Sequence, residues 1–106
     1  MSSTVGSKYV SGQVKATNAT LNVLVVGFMP KKAVVSNLTN GIKVESADGL
    51  ATGQNIKTIA DGTRSVLASG GVESTKDSSG NCGIKIPVLA DVNDTTTELL
   101  LWEAWG

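Results

Sequence analysis

The sequence is divided into short apolar runs by turn-forming residues, and this spacing constrains the fold more than any other feature. Asn40-Gly41 and Asp61-Gly62 are turn pairs whose residues tolerate the positive φ angles of tight hairpins. No window shows an apolar stripe at helical period with capping residues at its ends. About eight short strands separated by Gly, Asn and Asp turns predict an all-β protein, an antiparallel β-sandwich or barrel of jelly-roll-like arrangement.

The turn pairs also predict which strands are joined. Asn40-Gly41 predicts a hairpin between residues 32–37 and 41–46, and Asp61-Gly62 predicts a second between 55–59 and 63–68. Residues 74–81, STKDSSGN, are expected to form an exposed loop. Further strands are predicted at residues 9–14, 21–28, 84–86 and 95–105, and residues 47–54 suit either an Asp-Gly turn or one helical turn.

The length of 106 residues predicts a single domain. Residues 1–9 are expected to form a flexible N-terminal arm that precedes one β domain at residues 10–106. The first residues have no basic segment followed by an apolar one, so we do not expect a signal peptide. No apolar run approaches the roughly 20 residues that span a bilayer, so a membrane is not an expected partner.

The composition argues against most catalytic and cofactor chemistry. The chain has no histidine and one cysteine, Cys82, so one chain cannot assemble the usual zinc, haem or iron–sulfur ligand sets or a Ser-His-Asp triad. Nine basic residues balance nine acidic ones, and this neutrality is unlike the charge of a nucleic-acid-binding protein. We therefore expect no catalytic residues, no metal, no cofactor and no nucleic acid, and we expect that the protein is not an enzyme.

Several short motifs have a functional and a simpler interpretation. Asn18, Asn37 and Asn93 each begin an Asn-x-Thr triplet, the pattern of a glycosylation acceptor, but chance explains these triplets in a chain so rich in Asn and Thr. Asp91, Asn93 and Asp94 could offer oxygen ligands to Ca²⁺. The spacing lacks the remaining EF-hand ligands, so an Asx turn that leads into the last strand is the preferred interpretation.

Two predicted strands, residues 21–28 and 97–105, are apolar on both faces. An antiparallel strand with one face in water should alternate apolar and polar residues. Because a small domain leaves much of its surface exposed, it cannot easily cover both faces of such strands by itself. The pattern therefore predicts a homo-oligomer or a larger assembly.

The two tryptophans near the C-terminus are candidates for such an interface. Trp102 and Trp105 are three residues apart, so on a strand they face opposite sides and at most one can face the core. Trp102 is expected to fill the core, whereas Trp105 either packs over the open end of the sandwich or contacts a partner. The candidate interface residues are Tyr9, Leu100, Trp102 and Trp105.

Four landmarks follow one another in an order that is similar to a known class of protein. An apolar run leads to the corner Gly27-Phe28-Met29-Pro30 and then to a Val-rich strand ending at Asn37. Gly70-Gly71-Val72 follows, then Cys82-Gly83-Ile84-Lys85-Ile86-Pro87 with Asp91-Val92-Asn93 after it, and the chain ends in Leu101-Trp102-Glu103-Ala104-Trp105-Gly106. Over residues 10–106 this order resembles small β-rich virion proteins of tailed bacteriophages.

The resemblance implies a structural role. It favours a capsid decoration, or cement, protein that is made in the host cytoplasm, sits on the outer capsid surface and binds the major capsid protein as a homo-oligomer, with a trimer as the expected form. The alternative is a tail-fibre or adhesion domain that binds a host carbohydrate or receptor, with Trp105 or Tyr9 as the stacking platform. A small glycosidase ranks last, because it would need two carboxylates about 5–9 Å apart across a cleft.

Overall fold

The computed structural model describes residues 8–106, and every regular element in that range is a β-strand. The strands are β1 (Tyr9–Lys15), β2 (Leu21–Val23), β3 (Lys32–Asn37), β4 (Lys43–Ala47), β5 (Asn55–Thr58), β6 (Arg64–Leu67), β7 (Glu73–Lys76), β8 (Cys82–Ile86) and β9 (Leu99–Trp105). They form an antiparallel six-stranded sheet, ordered β1-β9-β3-β4-β5-β6, and an antiparallel three-stranded sheet, ordered β2-β8-β7. The prediction of an all-β antiparallel fold is confirmed, with a ninth strand added.

The core lies between the two sheets. Strand β9 shows how the sequence builds it, because Leu100 and Trp102 point inwards and are 0% and 5% exposed, whereas Leu101 and Trp105 point outwards. The predicted division of this strand into two faces is confirmed, as is the prediction that only one tryptophan enters the core. The remaining core side chains come from the inner faces of β3 and β4, from the small sheet and from loops, and include Ala33, Val35, Val44, Val23, Ile84, Ile86, Val26, Val72 and Val92.

The sequence predicts one long strand at residues 21–28, but this apolar run does not form it. Strand β2 ends at Val23, where it has paired with β8 over three residues. Gly27 has a φ of 87°, a value that a side chain would oppose, and Pro30 follows, so the run bends away from the sheet. Val26 turns into the core, while Val25 is exposed. The double-faced apolar pattern therefore came from a strand followed by a corner.

Both predicted hairpins are confirmed, with β3 paired to β4 and β5 paired to β6. In the segment 47–54, Ala47 ends β4 and the residues after it form turns with no helix. The predicted loop at residues 74–81 is wrong in part, because β7 occupies Glu73–Lys76 and only the residues after it form the turn. This strand has no apolar alternation. It forms because its backbone pairs with β8, a partner that local sequence does not show.

The predicted flexible arm lies mostly outside the described residues. Residues 1–7 are not part of the description, so that prediction stands as made for them. Tyr9, which the prediction also placed in the arm, is instead the first residue of β1 and pairs with Trp105.

Candidate interaction surface

The six-stranded sheet has one face towards the core and one face, here called the outer face, that the three-stranded sheet does not cover. Strand pairing places Tyr9 beside Trp105 and Trp105 beside Lys32 on this face. Two residues further along, Glu103 lies next to Val34. The outer face consists of Tyr9, Ser11, Gln13 and Lys15 of β1, Leu99, Leu101, Glu103 and Trp105 of β9, Lys32, Val34 and Ser36 of β3, Lys43 and Glu45 of β4, Ile56 and Thr58 of β5, and Arg64 and Val66 of β6.

An aromatic cluster of Tyr9, Trp105, Lys32 and Glu103 lies at one end of the outer face. The Tyr9 and Trp105 rings are 5.1 Å apart between centroids and inclined by 50°. The Lys32 Nζ lies 5.0 Å from the centre of the Trp105 ring, a cation–π contact. The Tyr9 hydroxyl donates a hydrogen bond of 2.8 Å to Oε2 of Glu103. These contacts fix the orientation of two aromatic side chains before any partner arrives, which lowers the entropy cost of binding.

A row of directly paired residues crosses the middle of the outer face. It runs from Glu103 through Val34 and Glu45 to Ile56 and Val66. Val34 is buried between its carboxylate-bearing neighbours, whereas Val66 at the sheet edge is 66% exposed. Lys43 lies 3.7 Å from Glu45 and partly neutralises it. The face is therefore a mixture of apolar patches and paired charges, as in a protein interface with a polar rim.

The structure divides the four candidate interface residues into two pairs. Tyr9 is 52% exposed and lies on the outer face with the half-buried Trp105. Leu100 and Trp102 lie inside the core of their own chain, 0% and 5% exposed. The physical reason is the period of two along β9, which sends the even-numbered residues inwards.

Three buried asparagines organise the loops, and sequence reasoning did not find this role. The Asn93 side chain is fully buried and its Oδ1 accepts hydrogen bonds from the backbone N–H groups of Thr17 and Asn18. Its Nδ2 donates to the carbonyls of Ala19 and Pro87. This side chain therefore joins the β1–β2 loop to the chain after β8. In the sequence Asn93 is an asparagine beside the apolar Val92 in a predicted loop, and this pattern does not distinguish a buried loop anchor from an ordinary turn residue.

Asn37 and Asn55 act in the same way at other loops. Asn37 Oδ1 accepts the N–H groups of Thr39 and Asn40 and so organises the β3–β4 turn. Asn55 donates to the Val72 carbonyl and accepts the Val72 N–H. Because Asn37 and Asn93 are buried and hydrogen-bonded, neither presents its amide to an incoming glycan.

Two exposed aspartates close turns with their carboxylates. Asp77 accepts hydrogen bonds from the Asn81 side chain, from the Asn81 backbone N–H and from the Ser79 N–H, and these bonds lower the pKa of Asp77. Asp61 accepts the N–H of Thr63, and this bond lowers the pKa of Asp61. In both cases hydrogen bonding favours the charged carboxylate over the neutral acid.

The remaining candidate residues have local structural roles. Asp94 accepts the N–H of Asp91, three residues before it, and the N–H groups of Val92 and Asn93 donate to the Leu89 carbonyl, so this segment is a turn but this side-chain bond is not that of an Asx turn. Cys82 is half-buried, and its thiol points to the Gly80 carbonyl. Within residues 8–106, no three acidic, cysteine or histidine side chains come together in a way that could hold a metal ion.

An open cleft of about 350 Å³ lies at one end of the sandwich, between the corner before β3, the β4–β5 loop and the start of β7. Two acids, Asp48 and Glu73, are among its lining residues. Glu73 lies 3.9 Å from Lys85 on the neighbouring strand, and Asp48 is exposed. The cleft is shallow and mixed in character, and it does not include the aromatic cluster.

Residues 8–106 include no helix that is long and apolar enough to cross a membrane. Comparisons of this chain with protein-family models, with curated proteins and with solved structures each returned no match.

Proposed function

We propose that the protein is a structural component of a bacteriophage virion that decorates the outer capsid surface and stabilises it by binding major capsid subunits. The observation that carries the proposal is the outer face of the six-stranded sheet, with the preoriented Tyr9–Trp105 pair at one end. A decoration protein acts by mass action, since each copy binds the assembled shell better than free subunits and so favours the closed shell.

The outer face has the composition that such a role needs. A few residues carry most of the binding free energy in protein interfaces, and Tyr and Trp are enriched among them. Here Tyr9 and Trp105 are held by contacts to Glu103 and Lys32. Leu99 and Leu101 extend this apolar surface along β9. The charges that surround it are of both signs, which suits recognition of one protein surface and discourages indiscriminate association.

The first experiment compares particles made with and without the protein for retention of packaged DNA on heating. Particles that lack the protein are expected to release DNA at a lower temperature. Equal retention would refute the decoration role. Localising the chain on the particle by cryo-electron microscopy gives an independent answer, because density on the outer head surface is expected and density at the tail would refute the proposal.

A second experiment tests the surface. The double variant Tyr9→Ala, Trp105→Ala is expected to lose binding to assembled shells in a co-sedimentation assay. Val88→Ala is the matched control, since Val88 is an exposed apolar side chain in the segment after β8, away from the outer face. Circular dichroism confirms that each variant is folded. Undiminished binding by the double variant would remove the outer face from the proposal.

A host-binding fibre or adhesion domain is the second candidate, and the aromatic cluster also favours it. Sugar rings stack on aromatic side chains, and the Glu103 carboxylate beside Tyr9 could accept a hydrogen bond from a sugar hydroxyl. A glycan array separates the two candidates, as does the copy number per particle. A decoration protein should be present in roughly hundreds of copies and a fibre domain in a few dozen, on the order that lattice symmetry dictates.

A further inference from the structure

Strand β1, seven residues long, lies at one edge of the six-stranded sheet, and no other strand within residues 8–106 pairs with its outer edge. The Gly106 N–H donates to the Lys8 carbonyl, and the Ala16 N–H donates to the Glu98 carbonyl. Lys8 and Ala16, on either side of β1, are therefore at hydrogen-bonded positions that face β9. Pairs of this kind alternate along an antiparallel ladder. The backbone groups of Val10, Gly12 and Val14 therefore also point towards β9. Those of Tyr9, Ser11, Gln13 and Lys15 point away from it, and no described residue hydrogen-bonds to them.

We propose that two copies of this chain associate through β1, with the two strands antiparallel about a twofold axis at Gly12. In this register Tyr9 of one copy lies opposite Lys15 of the other, and Ser11 lies opposite Gln13. All four outward-pointing residues of each copy then fall on hydrogen-bonded positions. The six-stranded sheets of the two copies join into one continuous sheet, and their outer faces become one surface.

The register is favoured because it uses the whole edge. It forms four hydrogen-bonded pairs between the copies, and with two bonds in each pair this gives about eight hydrogen bonds. The opposite edge of the sheet, β6, is less suitable. Ile59 donates its N–H to Thr63, so only Arg64 and Val66 of β6 point outwards. A contact that involves β6 forms about four bonds at most, which argues against a ring closed from β1 to β6.

Strand β1 also lacks the features that normally protect an edge. It contains no proline and no bulge, and its only charged residue, Lys15, is at its end. At the centre of the register the two Gly12 residues form a non-hydrogen-bonded pair, where the backbones approach most closely and the absence of side chains is an advantage.

The side chains are complementary on both faces of the joined sheet. On the outer face, Lys15 of the second copy lies beside Tyr9, whose hydroxyl donates a hydrogen bond to the Glu103 carboxylate. A cation thus approaches an aromatic ring and a carboxylate, and the twofold axis repeats the contact. On the inner face, Val10 of the second copy lies beside Val14, at an apolar groove of about 330 Å³ that Gly12 and Trp102 also line.

Proline substitution tests the edge. Gln13→Pro removes an outward-pointing N–H without removing a β1–β9 hydrogen bond. Val66→Pro is the matched control, because it removes an outward-pointing N–H at the β6 edge. Sedimentation velocity and native mass spectrometry of the full chain are expected to show a dimer that Gln13→Pro weakens at least tenfold and Val66→Pro leaves unchanged. Circular dichroism checks that both variants fold.

Disulfide cross-linking tests the register independently of strand disruption. In a Cys82→Ser background, Ser11→Cys and Gln13→Cys variants are prepared separately and mixed. Directly opposed residues of a hydrogen-bonded pair have Cα atoms about 5.5 Å apart, within the range of a disulfide. The mixture is expected to cross-link at least tenfold faster than either variant alone, in which the cysteines are diagonal to each other.

Three results would overturn the proposal. A monomer at all concentrations would exclude self-association, and a trimer would exclude the twofold axis in favour of the form expected from the resemblance. Equal cross-linking rates for the mixture and the single variants would show that the register is wrong. None of these results bears on retention of DNA by particles, so failure here and failure of the decoration role can be told apart.

Discussion

Trp102 of β9 lies directly over Gly12 of the neighbouring strand β1, and a Cβ built at position 12 would stand 2.8 Å from Cζ2 of the indole. The indole is 5% exposed, so it has little room to move away. The glycine that interrupts the apolar pattern of β1 is therefore a packing requirement of the core tryptophan.

This contact predicts that Gly12→Ala destabilises the fold. Overpacking a closely packed site costs about 1–3 kcal/mol, because the added methyl group forces its neighbours off their preferred rotamers. The free energy of unfolding, measured by urea titration, should fall by that amount. Ser11→Ala, on the outer face of the same strand, is the control and should change stability by about 0.5 kcal/mol or less. An alanine variant as stable as the natural chain would contradict the contact.

The two tryptophans should differ sharply when each is replaced by alanine. Trp102→Ala empties the centre of the core and is expected to cost about 3–5 kcal/mol. Trp105→Ala removes an aromatic pair and a cation–π contact on the outer face, for which about 1–2 kcal/mol is expected. Thermal and urea unfolding of both variants give the comparison. Similar losses would mean that β9 does not have one buried and one exposed face.

Asn93→Ala should be among the most damaging substitutions outside the apolar core. It leaves the N–H of Thr17 and the carbonyls of Ala19 and Pro87, all partly buried, without their partner. An unsatisfied buried group costs about 1–3 kcal/mol, and because water can reach these partly buried groups, the variant should lose about 1–3 kcal/mol in total. Asn22→Ala, at an exposed position of β2, is the matched control and should be almost neutral. The measurement is again the free energy of unfolding.

The turn after β7 should open in acid. Because hydrogen bonds lower the pKa of Asp77, the carboxylate stabilises the turn at pH values above the ordinary pKa of an aspartate. This stabilisation is lost as the pH falls through the lowered pKa. The Asn81 amide signal in NMR spectra should therefore titrate with a midpoint below 3.8, the ordinary value. The transition should vanish in Asp77→Asn, and a midpoint above 3.8 would contradict the hydrogen bonds.

The periodic and turn-forming features of the sequence determined much of the fold. The two faces of β9 follow from a period of two in a strand, which needs no knowledge of neighbours. The β3–β4 and β5–β6 hairpins follow from Asn-Gly and Asp-Gly pairs, because local backbone preferences favour a turn at these positions. The period of two also predicts that Trp102 and Trp105, three residues apart, lie on opposite faces of β9.

Tertiary structure decided the features that depend on residues distant in sequence. Strand β7 forms from polar residues because β8 offers it a backbone partner, and β2 ends at Val23 because the chain must turn a corner at Gly27. Asn93 is a loop anchor only because residues 17–19, far away along the chain, return beside it. Tyr9 and Trp105 meet because the first and last strands are neighbours in the sheet. These strands are joined only by closing a loop of almost the whole chain, and such a pairing leaves no pattern in the local sequence.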